Sequence, residues 1–295
     1  MSQQPAGVSS PNSAAPVQLP SAEALAPAQI EAKAEALAEG KVKLPEAKCF
    51  VLAMFAGAFI AFGASFFGLC LGDPSLPFAA QRILGGVCFC LGLELVLCCG
   101  GELFTGNSLM ICAAKSGRVS WTDMAKNWLL VWVGNFAGSL LVVIIMYLSG
   151  LQNMNGGAVG DAFVSIAAGK ASLDWFTLTF KAILCNVFVC LAVWIGFGSK
   201  TVADKVVGII LPISAFVAMG FEHCVANMFF LTMGLGCRVA GFGAAVANVD
   251  ALTLGGICYN LFFATVGNVI GGALLVGLGY WYCYHKDPAQ EKPAA

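Results

Sequence analysis

Six long apolar runs fill most of the chain, and two of them are interrupted by glycine and polar residues at the depth of a membrane. The runs cover about residues 48–71, 82–114, 121–148, 173–197, 205–235 and 254–284. Each is long enough to cross a hydrocarbon core of about 30 Å at about 1.5 Å per residue. With 59% hydrophobic residues, 11% charged residues and a mean hydropathy of +0.84, the composition excludes an ordinary soluble domain. The pattern predicts an all-α membrane protein with six transmembrane helices.

The two interruptions lie in the second and fifth runs, at Gly100–Asn107 and Gly220–Asn227. Non-helical backbone inside a membrane persists only where protein or a water-filled cavity satisfies its polar groups. Glycines in both stretches supply the backbone freedom that a break requires. We expect half-helices to restart at Asn107 and Asn227 with their N-terminal N–H groups directed at the break, an arrangement that favours an anion.

The same polar pattern occurs twice. Glu102 and Asn107 of the first break recur as Glu222 and Asn227 of the second, with the same spacing of five. The third and sixth runs share a second pattern, in which Asn127, Gly134, Asn135 and Gly138 match Asn260, Gly267, Asn268 and Gly271. Because each half holds three spans, an odd number, the halves must be oppositely oriented. The chain therefore predicts an inverted repeat whose two broken helices meet near the membrane midplane.

Residues that occur in both halves are expected to be structural. We interpret the repeated glutamates and asparagines of the two breaks, Glu102, Asn107, Glu222 and Asn227, as clamps that satisfy backbone groups. Asn135, Asn260 and Asn268 are expected to bond helices together. The small residues, Gly134, Gly138, Gly267, Gly271 and Gly272, are expected to let helices approach closely.

His223 has no counterpart in the first half, because it aligns with Leu103. An ionisable side chain at membrane depth is costly and usually marks a pathway or a site. Thr105 offers a hydroxyl in the other break, and the repeat relates the two breaks, so we expect Thr105 and His223 to face one another across an anion pore. The alternative is that His223 only hydrogen-bonds and holds the bend.

Basic residues are distributed unevenly between the two sides. Eleven of the fifteen lie on the side that holds both termini, and only Arg82, Lys170 and Arg238 lie on the other. The positive-inside rule then places the N- and C-termini in the cytoplasm.

Lys181 is the remaining basic residue and lies within the fourth run, five residues before Asn186. Five residues turn a helix by about 500°, so the two side chains lie on different faces. If Asn186 faces the pore, Lys181 is expected to snorkel or to lie at a subunit contact. A pairing of Lys181 with Glu94 would lower the cost of burying both.

The N-terminal segment precedes the first span. Residues 1–20 are rich in Pro and Ser and are expected to be disordered. After Pro27, Ile30 and Ala34 fall on one side of an amphipathic helix together with Leu37, and Gly40 is expected to end it. The helix is either a membrane-surface element or a plain linker. The predicted organisation is an N-terminal segment (1–45), a channel domain (46–285) and a cytoplasmic tail (286–295).

Other classes of function have little support. The net charge of −1 does not suggest nucleic-acid binding. The thirteen cysteines lie mostly in apolar runs, where cysteine behaves as a small hydrophobe, and no CxxC pair is present. We therefore expect neither a cysteine zinc site nor a disulfide framework, and no cofactor.

The two breaks resemble known signature stretches. Residues 101–107 and 220–228 resemble those of the formate/nitrite transporter family, and residues 125–129 and 267–272 resemble two more. The resemblance covers about residues 45–285, and the bacterial formate channels are the most similar branch. It implies an aquaporin-like six-helix protomer with one pore, a homopentamer in the bacterial inner membrane, and pH-dependent, bidirectional movement of formate or a similar small anion with a proton.

The resemblance also implies roles for individual residues. His223 and Thr105 would contact the anion between two apolar constrictions, with Phe89 and Leu93 on the cytoplasmic side and Phe216 and Val189 on the periplasmic side. Asn186 and Lys170 would be polar residues of the pore and the periplasmic mouth. The N-terminal segment would regulate opening with pH. Lys181, Glu94 and Phe263 depart from the residues expected in the family.

Three alternatives remain open. A nitrite, lactate or hydrosulfide channel would share the same frame. A water or glycerol channel is disfavoured because neither break contains an Asn-Pro-Ala turn. A membrane enzyme would use Glu222 and His223 as an acid–base pair, but no second catalytic group or cofactor motif accompanies them, so we do not expect an enzyme.

Overall fold

The computed structural model describes residues 23–286, and this part of the chain contains helices and no strand. The α-helices are α1 (Pro27–Val42), α2 (Glu46–Leu71), α3 (Phe78–Leu95), α4 (Phe104–Asn107), α5 (Ile111–Lys115), α6 (Trp121–Leu148), α7 (Ala158–Ala171), α8 (Trp175–Gly198), α9 (Val202–Ala218), α10 (Cys224–Val239), α11 (Leu254–Val269) and α12 (Gly279–Tyr284). A π-helical turn, Val96–Gly100, extends α3, and a second π-helical segment, Ile270–Leu278, joins α11 to α12. A 3₁₀ turn, Ser108–Met110, joins α4 to α5.

The predicted membrane architecture is confirmed. Five stretches of the described chain are long and apolar enough to span a membrane: Glu46–Leu71, Phe78–Gly100, Trp121–Leu148, Trp175–Gly198 and Leu254–Tyr284. The remaining position is filled by α9 and α10, separated by a break. The third and sixth spans begin and end at the predicted residues.

The prediction that the half-helices restart at Asn107 and Asn227 is wrong. Helix α4 begins at Phe104 and α10 at Cys224, three residues earlier in each half. The physical reason is that Leu103 and His223 have extended backbone and act as the N-caps. The two asparagines therefore lie within the first turn, where their side chains face the neighbouring helices.

Helix α1 packs on the channel body. Ile30 and Ala34 are buried, as the apolar pattern predicted, whereas Leu37 is 38% exposed. Gly40 does not end this helix, which runs to Val42. Pro45 explains the observed end, because a proline disfavours helical backbone in the residue before it. Residues 1–20, expected to be disordered, lie outside the described residues, as does all of the expected tail, 286–295, except residue 286.

Helix α7 was not predicted. It lies in the connection between the third and fourth spans and packs against α10. Its apolar residues Val159, Phe163 and Ala167 recur at intervals of four and are buried. Such spacing is typical of an amphipathic helix and would have identified it.

Glycines let neighbouring spans touch through their backbones, as predicted. A Cβ atom on Gly138 would lie 1.9 Å from the carbonyl oxygen of Met54, between α6 and α2. In the second half, a Cβ on Gly271 would lie 2.1 Å from the carbonyl oxygen of Ile183, on α8. Both contacts exclude any side chain and fix the same helix pair in each repeat.

Both described ends of the chain lie on one face of the molecule, which we call the terminal face. Glu35 of α1 contacts His285, which follows α12. The amide of Leu25 donates a hydrogen bond of 3.0 Å to the carbonyl of Gly198, at the end of α8. Lys33 also donates to the carbonyl of Phe197, at 2.7 Å. Helix α1 is thus fastened across this face.

Candidate functional site

The two breaks meet at a single side-chain pair. Oγ1 of Thr105 and Nε2 of His223 lie 3.0 Å apart, and both residues are buried. These side chains were expected to face one another, and they are in direct contact. The pair stands at the N-termini of α4 and α10, so both half-helices converge on it.

The hydrogen bonds of His223 define its tautomer. Its Nδ1 atom accepts a hydrogen bond of 3.0 Å from the amide of Ala226, so Nδ1 carries no proton. The ring proton of the neutral imidazole is therefore on Nε2, which donates to the hydroxyl oxygen of Thr105. This leaves the Thr105 hydroxyl hydrogen free to point elsewhere.

A charged clamp supports the first break. Glu102 accepts a hydrogen bond from the Asn107 amide at 2.8 Å and an ion-paired bond from Lys41 at 2.7 Å. The Asn107 amide also donates to Asn127 on α6, at 2.9 Å. The clamp thus links the break, α1 and the third span.

The second break carries the same clamp. Glu222 accepts from the Asn227 amide at 2.7 Å and pairs with Lys170 at 2.9 Å. The Asn227 amide donates to Asn260 on α11, at 2.8 Å. These contacts join side chains to side chains, so the clamps do not satisfy backbone groups directly as predicted, and the backbone groups are bonded by other residues. The contacts also show that Lys170 is engaged with a carboxylate.

Two further asparagines accept hydrogen bonds from backbone N–H groups where the half-helices begin. Asn135 accepts from the amide of Phe104, and Asn268 accepts from the amide of Cys224, each at 2.9 Å. Together with the amide of Ala226, three of the N–H groups expected to face an anion are therefore already bonded. The donors directed at the centre of the site are the side chains of Thr105 and His223.

A cavity of about 330 Å³ opens beside His223, on the side away from the terminal face. We call it the vestibule. It is lined by residues of α2, α3, α7, α8, α9 and α10 that include Phe67, Arg82, Phe89, Lys170, Lys181, Phe216, Glu222 and His223. Three of these are cationic and one is anionic, so the lining has a positive balance. Such a concave positive surface attracts small anions.

Arg82 and Lys181 were not predicted to lie here. Arg82 donates to the carbonyls of Ala218 and Val217, both at 3.0 Å, and so satisfies the C-terminal end of α9. Lys181 lines the vestibule, and no ion pair joins it to Glu94 among residues 23–286. The repeat did not identify either residue, because neither has a counterpart in the other half.

Asn186 lies on a different face of α8 from Lys181, as the helical angle required. Its amide donates to the carbonyls of Asn268, at 2.7 Å, and Thr105, at 3.3 Å. It also donates to the hydroxyl of Ser108, at 3.2 Å. Asn186 is fully buried and supports the backbone of Thr105, while its Oδ1 atom has no partner.

Two aromatic rings lie beside His223 on the wall of the vestibule. The rings of Phe89 and Phe216 meet edge to face with centroids 5.8 Å apart, and Phe216 stacks on the His223 ring at 6.0 Å. The predicted division, with Phe89 on the cytoplasmic side and Phe216 on the other, needs correction because both line the same cavity. Phe89 and Phe216 form one aromatic pair on this wall.

Leu93 and Val189 do not line the vestibule and are buried. Val189 follows Asn186 on α8, which runs towards the terminal face. Its assignment to the periplasmic constriction stays a prediction. Leu93 is one helical turn beyond Phe89 in the same direction, and its assignment to the cytoplasmic constriction stays a prediction.

Charged groups are also concentrated where α1 meets the terminal face. Arg118 pairs with Glu35 at 3.2 Å and with Glu39 at 3.5 Å. Burial, followed by the hydrogen bond and charge of Glu35, raises the pKa of Glu31 to about 8. These contacts hold α1 in its docked position.

Two broken helices that meet at a buried donor pair, beneath a cation-lined vestibule, define a membrane channel with an inverted repeat. A profile of the formate/nitrite transporter family matches residues 28–282, and the chain belongs to this family. It is 39% identical over 272 residues to the formate channel FocA of Escherichia coli K12, an alignment that covers 89% of this chain and 95% of FocA.

More distant relatives and two solved structures are also formate transporters or channels of this family. A probable formate transporter of Methanothermobacter thermautotrophicus is 35% identical, with 88% of this chain and 97% of the relative covered. A solved pentameric formate channel with formate bound superposes with a TM-score of 0.75 at 36% identity, covering 82% of this chain and 98% of that one. A second solved structure, an FNT family ion channel, also gives a TM-score of 0.75, at 30% identity.

Proposed function

We propose that the protein is a formate channel that moves small monovalent anions in both directions across the bacterial inner membrane, together with a proton. The proposal includes a homopentamer with one pore per protomer and both termini in the cytoplasm. Support comes from the relatives named as formate channels and from the pentameric formate channel that the fold resembles. The uneven distribution of basic residues supports the orientation.

The observation that carries the proposal is the Thr105–His223 pair at the inner end of the vestibule. An anion is attracted by Arg82, Lys170 and Lys181 and then passes between apolar rings, where it loses water. An oxygen of the anion replaces the hydrogen bond between Thr105 and His223 and accepts a hydrogen bond from each side chain. The apolar rings exclude bulk water and small cations.

Transfer of a proton sets a condition on His223. The neutral ring binds an anion through Nε2–H but has no proton to give, since Nδ1 accepts the Ala226 amide. A ring that lends a proton must first be protonated at Nδ1, which breaks this N-cap hydrogen bond. Movement of a neutral acid therefore requires the first turn of α10 to rearrange.

Flux measurements in proteoliposomes test the proposal. Formate, nitrite, lactate and hydrosulfide should be compared at neutral and acidic pH, with the His223→Phe variant beside the wild type. We expect formate flux that acid stimulates, and loss of that stimulation in His223→Phe. Unaltered uptake by the variant at acidic pH would contradict the role of His223.

The same experiment separates the alternatives. A preference for nitrite or hydrosulfide would make the protein another channel of the same family. Chemical turnover without flux would indicate an enzyme. The mass of the detergent-solubilised particle tests the pentamer.

A further inference from the structure

Three side chains converge on the terminal face, at the junction of α1 with the end of the last span. Oε1 of Glu35 lies 3.2 Å and Oε1 of Glu31 lies 3.8 Å from Nδ1 of His285. One such atom from each residue lies within 4.8 Å of the other two. The two glutamates expose only 2% and 3% of their surface.

The centre of this cluster is short of positive charge. Oε1 of Glu31 is buried and has no hydrogen-bond partner, although it points towards His285. Arg118 pairs with Oε2 of Glu35, the oxygen on the other side of that carboxylate. Acceptor atoms that converge in this way repel one another unless a proton or a cation lies between them.

We propose that Glu31, Glu35 and His285 form a binding site for a divalent transition-metal ion. One imidazole with two carboxylates suits Zn²⁺, whereas Ca²⁺ and Mg²⁺ prefer oxygen ligands alone. Ligands of tetrahedral Zn²⁺ at about 2.0–2.1 Å stand roughly 3.3 Å apart, so the observed separations must close by about 1.5 Å at most. Water from the adjacent cavity of about 560 Å³ supplies the fourth ligand.

The surroundings already orient the ligands. The Trp281 ring stacks on His285 with centroids 5.0 Å apart, and its indole N–H donates to the Ser116 hydroxyl at 2.7 Å. That hydroxyl in turn donates to Oε1 of Glu35. Partners of this kind hold metal ligands in place and raise metal affinity. A bound ion would tie α1 to the end of α12, at a place distinct from the Thr105–His223 pair.

Calorimetric titration of Zn²⁺ into the full-length, detergent-solubilised protein tests the site. The protein is first stripped with a chelator, and its exposed cysteines are alkylated with N-ethylmaleimide so that thiolates do not bind the metal. We expect one ion per protomer. Affinity should fall at least tenfold in Glu31→Gln and in His285→Ala. Magnesium should not compete.

Glu39→Gln is the matched control, because Glu39 lies on the same helix and pairs with Arg118 without facing His285. This variant should retain wild-type affinity. Absence of saturable binding in the wild type, or equal affinity in all variants, would overturn the proposal and leave the cluster as a proton-sharing carboxyl pair.

Anomalous diffraction at the zinc edge from wild-type crystals gives a second measurement that does not depend on variants folding. We expect a peak between Glu31, Glu35 and His285. Peaks only at other positions would also overturn the proposal.

Discussion

The Lys41 ammonium lies 2.7 Å from a carboxylate oxygen of Glu102, a residue 61 positions further along the chain. The Glu102 side chain is only 8% exposed, and that of Lys41 is 22% exposed. The pair connects the end of α1 to the break that holds Thr105. Docking of α1 and the geometry of the central site are therefore coupled through one ion pair.

Substitution of Lys41 tests this coupling. Lys41→Ala leaves the Glu102 carboxylate without its cation in a poorly solvated position, which costs about 1–3 kcal/mol. We expect a lower melting temperature in detergent and faster proteolysis of the N-terminal segment. Lys43→Ala, at an exposed lysine of the same helix end, is the control. Equal melting of the two variants would contradict the coupling.

Thr105 can be changed with little alteration of shape. Thr105→Val removes the hydroxyl that accepts from His223 Nε2, so a buried donor loses its partner at about 1–3 kcal/mol. We expect reduced stability and a large loss of formate flux, because one of the two donors to the anion is gone. Thr105→Ser keeps the hydroxyl and should retain most of the flux. If Val and Ser variants conduct equally, the hydroxyl has no role in conduction.

Lys181 should act through its charge at a distance. We expect Lys181→Leu to lower the rate of anion capture from the vestibule side roughly tenfold at low ionic strength. The difference from the wild type should shrink at 1 M salt, where the screening length is about 3 Å. Lys200→Leu, an exposed lysine near the terminal face, is the control. A loss of flux that is independent of salt would indicate a packing role instead.

Substitution by alanine should have opposite effects on stability at two glycines, Gly138 at the contact between α2 and α6 and Gly40 in α1. Gly138→Ala places a methyl group 1.9 Å from the carbonyl oxygen of Met54, so the helices must separate. We expect a loss of about 1–3 kcal/mol or failure to assemble. Gly40→Ala meets nothing within 4 Å in the interior of α1 and should stabilise the protein by about 0.5–1 kcal/mol. Thermal melts of both variants check this, and equal effects would be inconsistent with the structure.

Hydrophobic length and internal repetition were sufficient to predict the spans, the breaks and the facing of Thr105 and His223. These features depend on local composition and on a symmetry that is visible in the sequence. The sequence did not reveal that Lys41 returns to Glu102, because that contact joins segments 61 residues apart. The family resemblance placed Phe89 and Phe216 on opposite sides of the site, whereas their rings touch in one cavity, a contact between α3 and α9 that joins residues far apart in the chain.

The vestibule cations illustrate the same limit. The helical angle correctly separated Lys181 from Asn186, but it could not show which of the two faced the cavity. The Asn186 amide donates to three acceptors, two at the first break and one on α11. These bonds fix the rotation of α8 and turn Lys181 towards the vestibule. Only the packing of α8 against α11 decides that rotation.

The two clamp lysines occupy equivalent positions in the two halves. Lys41 lies near the end of the helix that precedes α2, and Lys170 lies near the end of the helix that precedes α8. Each pairs with the glutamate of the break in its own half. The internal repeat therefore begins before the first span, because α1 and α7 hold equivalent places in the two halves. Each of these two helices anchors the break of its own half through one salt bridge.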